Sequence, residues 1–302
     1  MPDVVWLNGR FVPRDEAKVS AFDAGIQHGV GLFETMLGAQ GRVFRVERHM
    51  ARLAESSQQL GLVDTLRTGA LQEALQLALD KSKLAQEGSD GRARLRLTIT
   101  GGDMNLLTAP KAARPEPTVM IVVTPATPYP PELFEKGIGL VVAIGRAGGG
   151  DPCAGHKTLD YWWRLRELQR AAGIGMGECL VLQSSNHVCG GAVSNLFVVR
   201  GGRLYTPAAR GEEAEGSAPS PVLPGITRSA VIECAGEENI GCDPAMLSIS
   251  DVLDADEVFL TNSSWGVLPV VRVEGRPIGD GVPGEVTWML RRRWLDAVRE
   301  EE

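Results

Sequence analysis

Four prolines fall within residues 125–131, and no other feature limits the architecture of this 302-residue chain so sharply. Proline has no amide hydrogen to give to a sheet ladder, so a central strand cannot run through that stretch. The chain therefore divides there. We read a small N-terminal α/β domain over residues 1–124, a linker over 125–136 and a larger domain over 137–302. Hydrophobic residues make up 43% of the sequence, enough to bury a sizeable core.

The first part mixes strand and helix patterns. Val4 to Val12 reads as two short strands around Asn8-Gly9, the strongest local hairpin signal. Gly25, Gly29 and Gly31 do not form a strand-to-helix GxGxxG, so they serve tight turns or close backbone packing. Phe44 opens a helix that stops at Gly61, with Val46, His49, Met50, Leu53 and Ser57 on one face. On that helix His49 reads as a hydrogen-bonded helix histidine, and Arg52 as an anion clamp or a surface charge. A second amphipathic helix over 66–84 buries Leu71, Ala74, Leu75, Ala78 and Leu79. Arg92 to Thr100 alternates basic and apolar positions like a half-buried strand, and Arg94 and Arg96 meet either an acidic substrate or water.

The second part carries the chemistry. His156-Lys157-Thr158-Leu159-Asp160-Tyr161 stands between a glycine-rich break, Gly148-Gly149-Gly150-Asp151-Pro152, and a helix-like run that continues to Leu168. Partial desolvation of a lysine at such an entrance disfavours its charged form and leaves an amine able to form a Schiff base. Taken alone, Lys157 also fits a solvated surface charge. Apolar strands and turns then alternate from Glu178 to Thr206, giving a meandering sheet, and residues 211–221 read as an exposed, mobile loop. Leu223-Pro224-Gly225-Ile226-Thr227 is a turn opening a helix. Free N–H groups and the Thr227 hydroxyl converge at the positive end of the helix dipole, as in an anion cradle or a plain helix start. Thr261-Asn262-Ser263-Ser264 is a hydroxyl-rich turn after a strand, a second place for a phosphate contact. A closing helix spans 285–299.

Composition narrows the partners. The net charge is −7 and no long basic run appears, which argues against nucleic acid or an anionic membrane surface and for small molecules. Five cysteines are odd in number and scattered, with no CxxC, so neither a disulfide framework nor a metal site is expected. The start, Met1 to Trp6, has no leader pattern, and no apolar run reaches membrane-spanning length. The expected compartment is the reducing cytoplasm.

Taken in order, Asn8-Gly9, Phe33-Glu34-Thr35-Met36, His49-Met50-Ala51-Arg52-Leu53, the Lys157 stretch, Ser194-Asn195-Leu196-Phe197, Leu223 to Arg228 and Thr261-Asn262-Ser263 form a set. With that set the chain resembles the class IV, fold-type IV enzymes that depend on pyridoxal 5'-phosphate (PLP). These include branched-chain and D-amino acid aminotransferases and 4-amino-4-deoxychorismate lyase. The resemblance implies an α/β (α+β) fold, with a small N-terminal α/β domain, a larger C-terminal domain of meandering sheet and flanking helices, and the cofactor between them in a homodimer. It implies that Lys157 bonds PLP and shuttles the proton between Cα and C4′. Arg52 binds the phosphate, with Ile226, Thr227 and Ser263 as further donors, and Tyr161, Ser194 and Asn195 lie near the cofactor. His28 takes the place of a substrate-facing aromatic residue, and Arg96 meets a substrate carboxylate. The reaction implied moves an amino group between an amino acid and a 2-oxo acid; the alternative is a lyase that releases pyruvate.

One departure stands out. Where the resemblance implies a glutamate beside the pyridine nitrogen, the chain reads Val188-Cys189-Gly190-Gly191-Ala192-Val193-Ser194-Asn195, with Gly190 at that place. A carboxylate there would keep the ring nitrogen protonated and the cofactor a strong electron sink. Its loss implies weak turnover or a degenerate PLP-binding protein, and Gly190→Glu is expected to raise the rate. Glu178, one strand earlier, reads as too far upstream to substitute.

Overall fold

The computed structural model describes residues 4–103, 116–148 and 150–300. Residues 1–3, at the chain's start, and Gly149, in its glycine-rich break, lie outside them. Two compact units are present, one reaching to Thr127 and taking in His156–Asp160, the other made of Pro128–Gly155 and Tyr161 onward.

The first unit runs β1 (Val4–Leu7), β2 (Arg10–Val12), α1 (Ala24–His28), β3 (Gly31–Ala39), β4 (Arg42–Val43), α2 (Val46–Gln59), α3 (Thr68–Ser82), β5 (Arg92–Thr100) and β6 (Val119–Pro125). The strands form one antiparallel sheet in the order β2-β1-β6-β5-β3-β4. Asn8 and Gly9 turn between β1 and β2 at φ 46° and 92°, the left-handed pair that a two-residue hairpin demands. Alternation on β5 sends Ala93, Leu95, Leu97 and Ile99 into the core, where Leu71, Leu75 and Leu79 of α3 meet them. Each such buried leucine contributes roughly 2 kcal/mol by leaving water. The sheet gives out at the proline-rich stretch: β6 ends on Pro125, paired with Ala93 at the strand's last rung.

His156–Asp160 joins this unit through β3. Thr158 bridges Leu32, Lys157 O accepts from Phe33 N at 3.0 Å, and Leu159 N donates to Gly31 O at 3.0 Å. The approach needs a glycine at 31, since a Cβ there would lie 2.5 Å from Ile99 O and 2.7 Å from Leu159 Cδ1.

The second unit contains α4 (Glu132–Glu135), β7 (Ile138–Ala147), α5 (Trp162–Gly173), β8 (Glu178–Gln183), β9 (Val188–Gly191), β10 (Asn195–Arg200) and β11 (Arg203–Pro207). Then come α6 (Ile226–Glu237), β12 (Cys242–Ala245), α7 (Ile249–Leu253), β13 (Glu257–Asn262), β14 (Gly266–Val273), β15 (Arg276–Pro277) and α8 (Glu285–Glu300). Its sheet runs β12-β11-β10-β13-β14-β7-β8-β9, with β15 on β14. A meander accounts for the hairpins β8-β9, β10-β11 and β13-β14. The pairs β11/β12, β14/β7 and β7/β8 are parallel, and α5 makes the crossover that the last of these requires. The loop after β11 is exposed over residues 214–219, but its root is pinned: buried Arg228 donates to both oxygens of Glu212, at 2.7 and 2.6 Å. Sequence composition does not reveal that anchor, because it comes from a helix further along the chain.

Candidate active site

Glu34 is the one charged residue in β3 and lies on its inward face, between Leu32 and Met36. An unpaired carboxylate there would be strongly destabilising. Its partners come from α2, where His49 and Arg52 are three residues apart and share a face. Arg52 donates through Nε to Glu34 Oε1 at 2.9 Å and through Nη2 to Oε2 at 2.5 Å; His49 Nδ1 lies 2.7 Å from Oε2. Burial works against ionising Glu34, but the charges of Arg52 and His49 and their hydrogen bonds outweigh it and bring the carboxyl down to about 2. Burial also lowers His49, against the pull of Glu34, and the charges of Arg52 and Lys157 push the same way. A neutral His49 thus gives its Nδ1–H to an ionised Glu34. The helix-histidine reading holds, with a partner that sequence order hid.

Lys157 lies on the other side of the β3 alternation. Its Nζ is 4.3 Å from the centroid of the Phe33 ring, and the Arg96 guanidinium is 3.8 Å from the same centroid. Two cationic side chains from separate segments therefore meet on one ring. His156 Nδ1 lies 2.9 Å from Ser56 Oγ, which ties the lysine's own segment to α2. Asp23 fixes α1 by accepting from Gly25 N, Thr100 Oγ1 and Thr118 Oγ1 at 2.6–2.7 Å, and His28 ends that helix, exposed.

The second unit holds the remaining expected residues, with Gly190, Ser194 and Asn195 on or between β9 and β10 and Ile226 and Thr227 at the start of α6. The N-cap of this 12-residue helix is Gly225, which makes no side-chain cap, and its Thr227 is buried. Gly225 comes so close to Asn195 that a Cβ would stand 1.9 Å from Oδ1, while Asn195 Nδ2 donates to Leu223 O at 2.8 Å. Asn195 also pairs with Thr261, a buried residue whose Oγ1 has no hydrogen-bond partner among the described residues. Asn262 shapes the turn holding Ser263, its Oδ1 accepting from Ser264 N and Trp265 N. Tyr161 immediately precedes α5.

Glu178 is fully buried on β8, and its oxygens accept from Cys179 N, Ala192 N, Val193 N and Ser194 Oγ at 3.0–3.3 Å. Burial raises this carboxyl while those donors pull it back. It holds the 192–194 turn. Gly190 has a φ of 144°, which side-chain-bearing residues rarely adopt, and a Cβ there would lie 2.7 Å from Ser194 O. Gly190→Glu is consequently strained and is no simple restoration of a carboxylate, contrary to the expectation of a faster variant. Glu34 and Phe33 escaped the reading of roles from sequence. A lone acid in an apolar strand was the signal for Glu34.

The chain belongs to the class IV amino-transferases, whose family pattern matches residues 31–273. These are PLP-dependent enzymes of fold type IV. A provisionally named branched-chain-amino-acid aminotransferase of Methanocaldococcus jannaschii is 31% identical over 97% of this chain and 95% of its own. The branched-chain amino acid aminotransferase of Escherichia coli superposes with a TM-score of 0.87 at 28% identity, covering 100% of this chain and 96% of that one. The 4-amino-4-deoxychorismate lyase of Pseudomonas aeruginosa gives 0.81 at 27% identity, over 98% and 99%. The residues present suit PLP. The uncapped α6 entrance, buried Thr227 and the orphaned Thr261 hydroxyl are donors of the kind a phosphate takes, and Gly225 leaves room that a Cβ would fill.

Proposed function

We propose that this enzyme moves an amino group between an amino acid and a 2-oxo acid, with Lys157 as the residue that bonds the cofactor. PLP supplies an electron sink for bonds at the substrate Cα. The chain's own residues do the rest. Lys157 Nζ holds and returns the proton that leaves Cα. Arg52, set by Glu34 and His49, balances phosphate charge, and Ile226, Thr227 and Ser263 donate to the phosphate. Arg96, which meets the same Phe33 ring as Lys157, binds a substrate carboxylate, Tyr161, Ser194 and Asn195 line the cofactor, and His28 contributes to substrate choice. The observation that supports this reading is the meeting of Lys157 and Arg96 on the Phe33 ring, an amine and a guanidinium within 4.3 Å of one centroid.

We place the enzyme in the cytoplasm as a homodimer. Five free thiols are what a reducing compartment leaves, and Ile144 and Trp162, 72% and 74% exposed, are large apolar groups that a second copy would cover. No described helix is long and apolar enough to cross a membrane.

The likeness to the Pseudomonas lyase keeps pyruvate release from 4-amino-4-deoxychorismate as the second reading. Incubating the PLP-loaded protein with a panel of amino donors and 2-oxo acids, and separately with 4-amino-4-deoxychorismate, distinguishes them. New amino acid formed from an added 2-oxo acid supports transfer. Pyruvate without any acceptor supports the lyase.

A further inference from the structure

Gly190 and Gly191 present backbone, not side chain, to their surroundings, while the Cys189 thiol points to Pro221 O. A Cβ on Gly191 would lie 2.2 Å from Ser194 Oγ, and Gly190 is closed to one by its φ of 144°. The carboxylate that reaches this stretch, Glu178, has both oxygens occupied by its four donors from residues 179 and 192–194. What arrives from α5 is a cation. Arg164 rests its guanidinium 4.8 Å from the centroid of the Trp163 ring, with Nη1 3.4 Å from both Gly191 O and Ala192 O. Two shared bonds at that length are weak, so a better acceptor placed there would take the N–H. Burial pushes the Cys189 thiol up, and Arg164 is the group that pulls against it, which sets the guanidinium beside that residue as well.

Gly190 also touches the phosphate cradle's neighbour. A Cβ on it would lie 3.5 Å from Asn195 Cα, and Asn195 reaches Leu223 and Gly225 at the α6 entrance. A flat cofactor whose phosphate sat at that entrance would have Asn195 and, beyond it, Gly190 beside it. Resting on the PLP reading, we propose that Arg164 meets the cofactor's ring nitrogen and donates an N–H to its lone pair, so that the bound ring is unprotonated. A guanidinium cannot accept a hydrogen bond and repels a pyridinium, so the two protonation states are mutually exclusive beside it. Arg164 is then a cofactor-binding residue that makes the ring a weaker electron sink.

The test uses the full-length protein loaded with PLP labelled with ¹⁵N in the ring, read by NMR between about pH 6 and 9, a range that covers the titration of ordinary aromatic ring nitrogens such as histidine's. The wild-type signal should sit at the position of a neutral pyridine and stay there, and Arg164→Lys should keep it. Arg164→Glu should move it to the pyridinium position. Should that variant not fold, Arg164→Gln should weaken PLP binding about tenfold, the loss of one charge-assisted bond. A pyridinium signal in the wild type, or a signal and affinity indifferent to Arg164, overturns the proposal. Failure of the protein to take up PLP, seen beforehand as no visible absorbance, instead overturns the cofactor reading on which it rests.

Discussion

The Glu34–His49–Arg52 cluster and the entrance to α6 handle charge in opposite ways. In the cluster Arg52 and Glu34 neutralise each other away from water, with a neutral His49 on the same carboxylate and Glu34 and His49 each 1% exposed. At the α6 entrance the proposed phosphate donors are backbone amides and hydroxyls, and the room beside them depends on the missing side chain of Gly225. The difference teaches where each is fragile. A side-chain cluster fails when an atom is removed, whereas a backbone cradle fails when an atom is added.

The largest break should come from Glu34→Gln. It leaves Arg52 buried beside a neutral amide, and removing one partner of a buried pair costs about 3–5 kcal/mol. Urea unfolding of the cofactor-free protein reads this directly, and a loss below about 1 kcal/mol would mean the cluster is no more than a surface pair.

Acid should sharpen the contrast. Glu34 lies below its ordinary value of 4.5, at about 2 in the fold, so its stabilisation is complete above pH 4.5 and lost as pH falls toward about 2. By linkage that amounts to roughly 3 kcal/mol. His49 is also lowered, from 6.5, so its contribution is complete above pH 6.5 and begins to fall below it. Both push stability the same way. The urea midpoint should decline on acidification from pH 6.5, and His49→Gln should remove the earlier part of that decline; an unchanged profile in that variant would exclude His49 as its source.

Gly225→Ala tests the other region. Its new Cβ would stand 1.9 Å from Asn195 Oδ1, so something must shift. Overpacking of this sort costs about 1–3 kcal/mol. PLP affinity should fall with it, more than the affinity for phosphate-free pyridoxal, and equal losses for the two ligands would place the phosphate elsewhere. The smallest effect belongs to Ser56→Ala, which removes the partner of His156 Nδ1 and should lower stability by about 1 kcal/mol.

Sequence patterns were most informative where the physics is local. The Asn8-Gly9 hairpin, the buried face of α3 and the turn-to-helix start at Gly225 each follow from neighbours in the chain. Lys157 and Arg52 were legible as candidates through the family resemblance. What could not be read is what depends on distant partners: Glu34 claiming His49 and Arg52, the Glu178 carboxylate holding a turn beyond the next strand, and Arg164 reaching the Gly191 carbonyl. Gly190 shows the limit from another side. A glycine reports a side chain's absence but not the φ of 144° that forbids its return.

Lys157 is the residue on which the proposed chemistry turns, and one measurement reaches it most directly. The purified protein is loaded with PLP, its visible absorbance recorded, the sample reduced with borohydride and digested for mass spectrometry, with Lys157→Ala beside it. A visible band that reduction removes, a cofactor adduct on the peptide containing Lys157, and neither in the variant, is the predicted result. An adduct on another lysine, or a reducible band that survives Lys157→Ala, would contradict it.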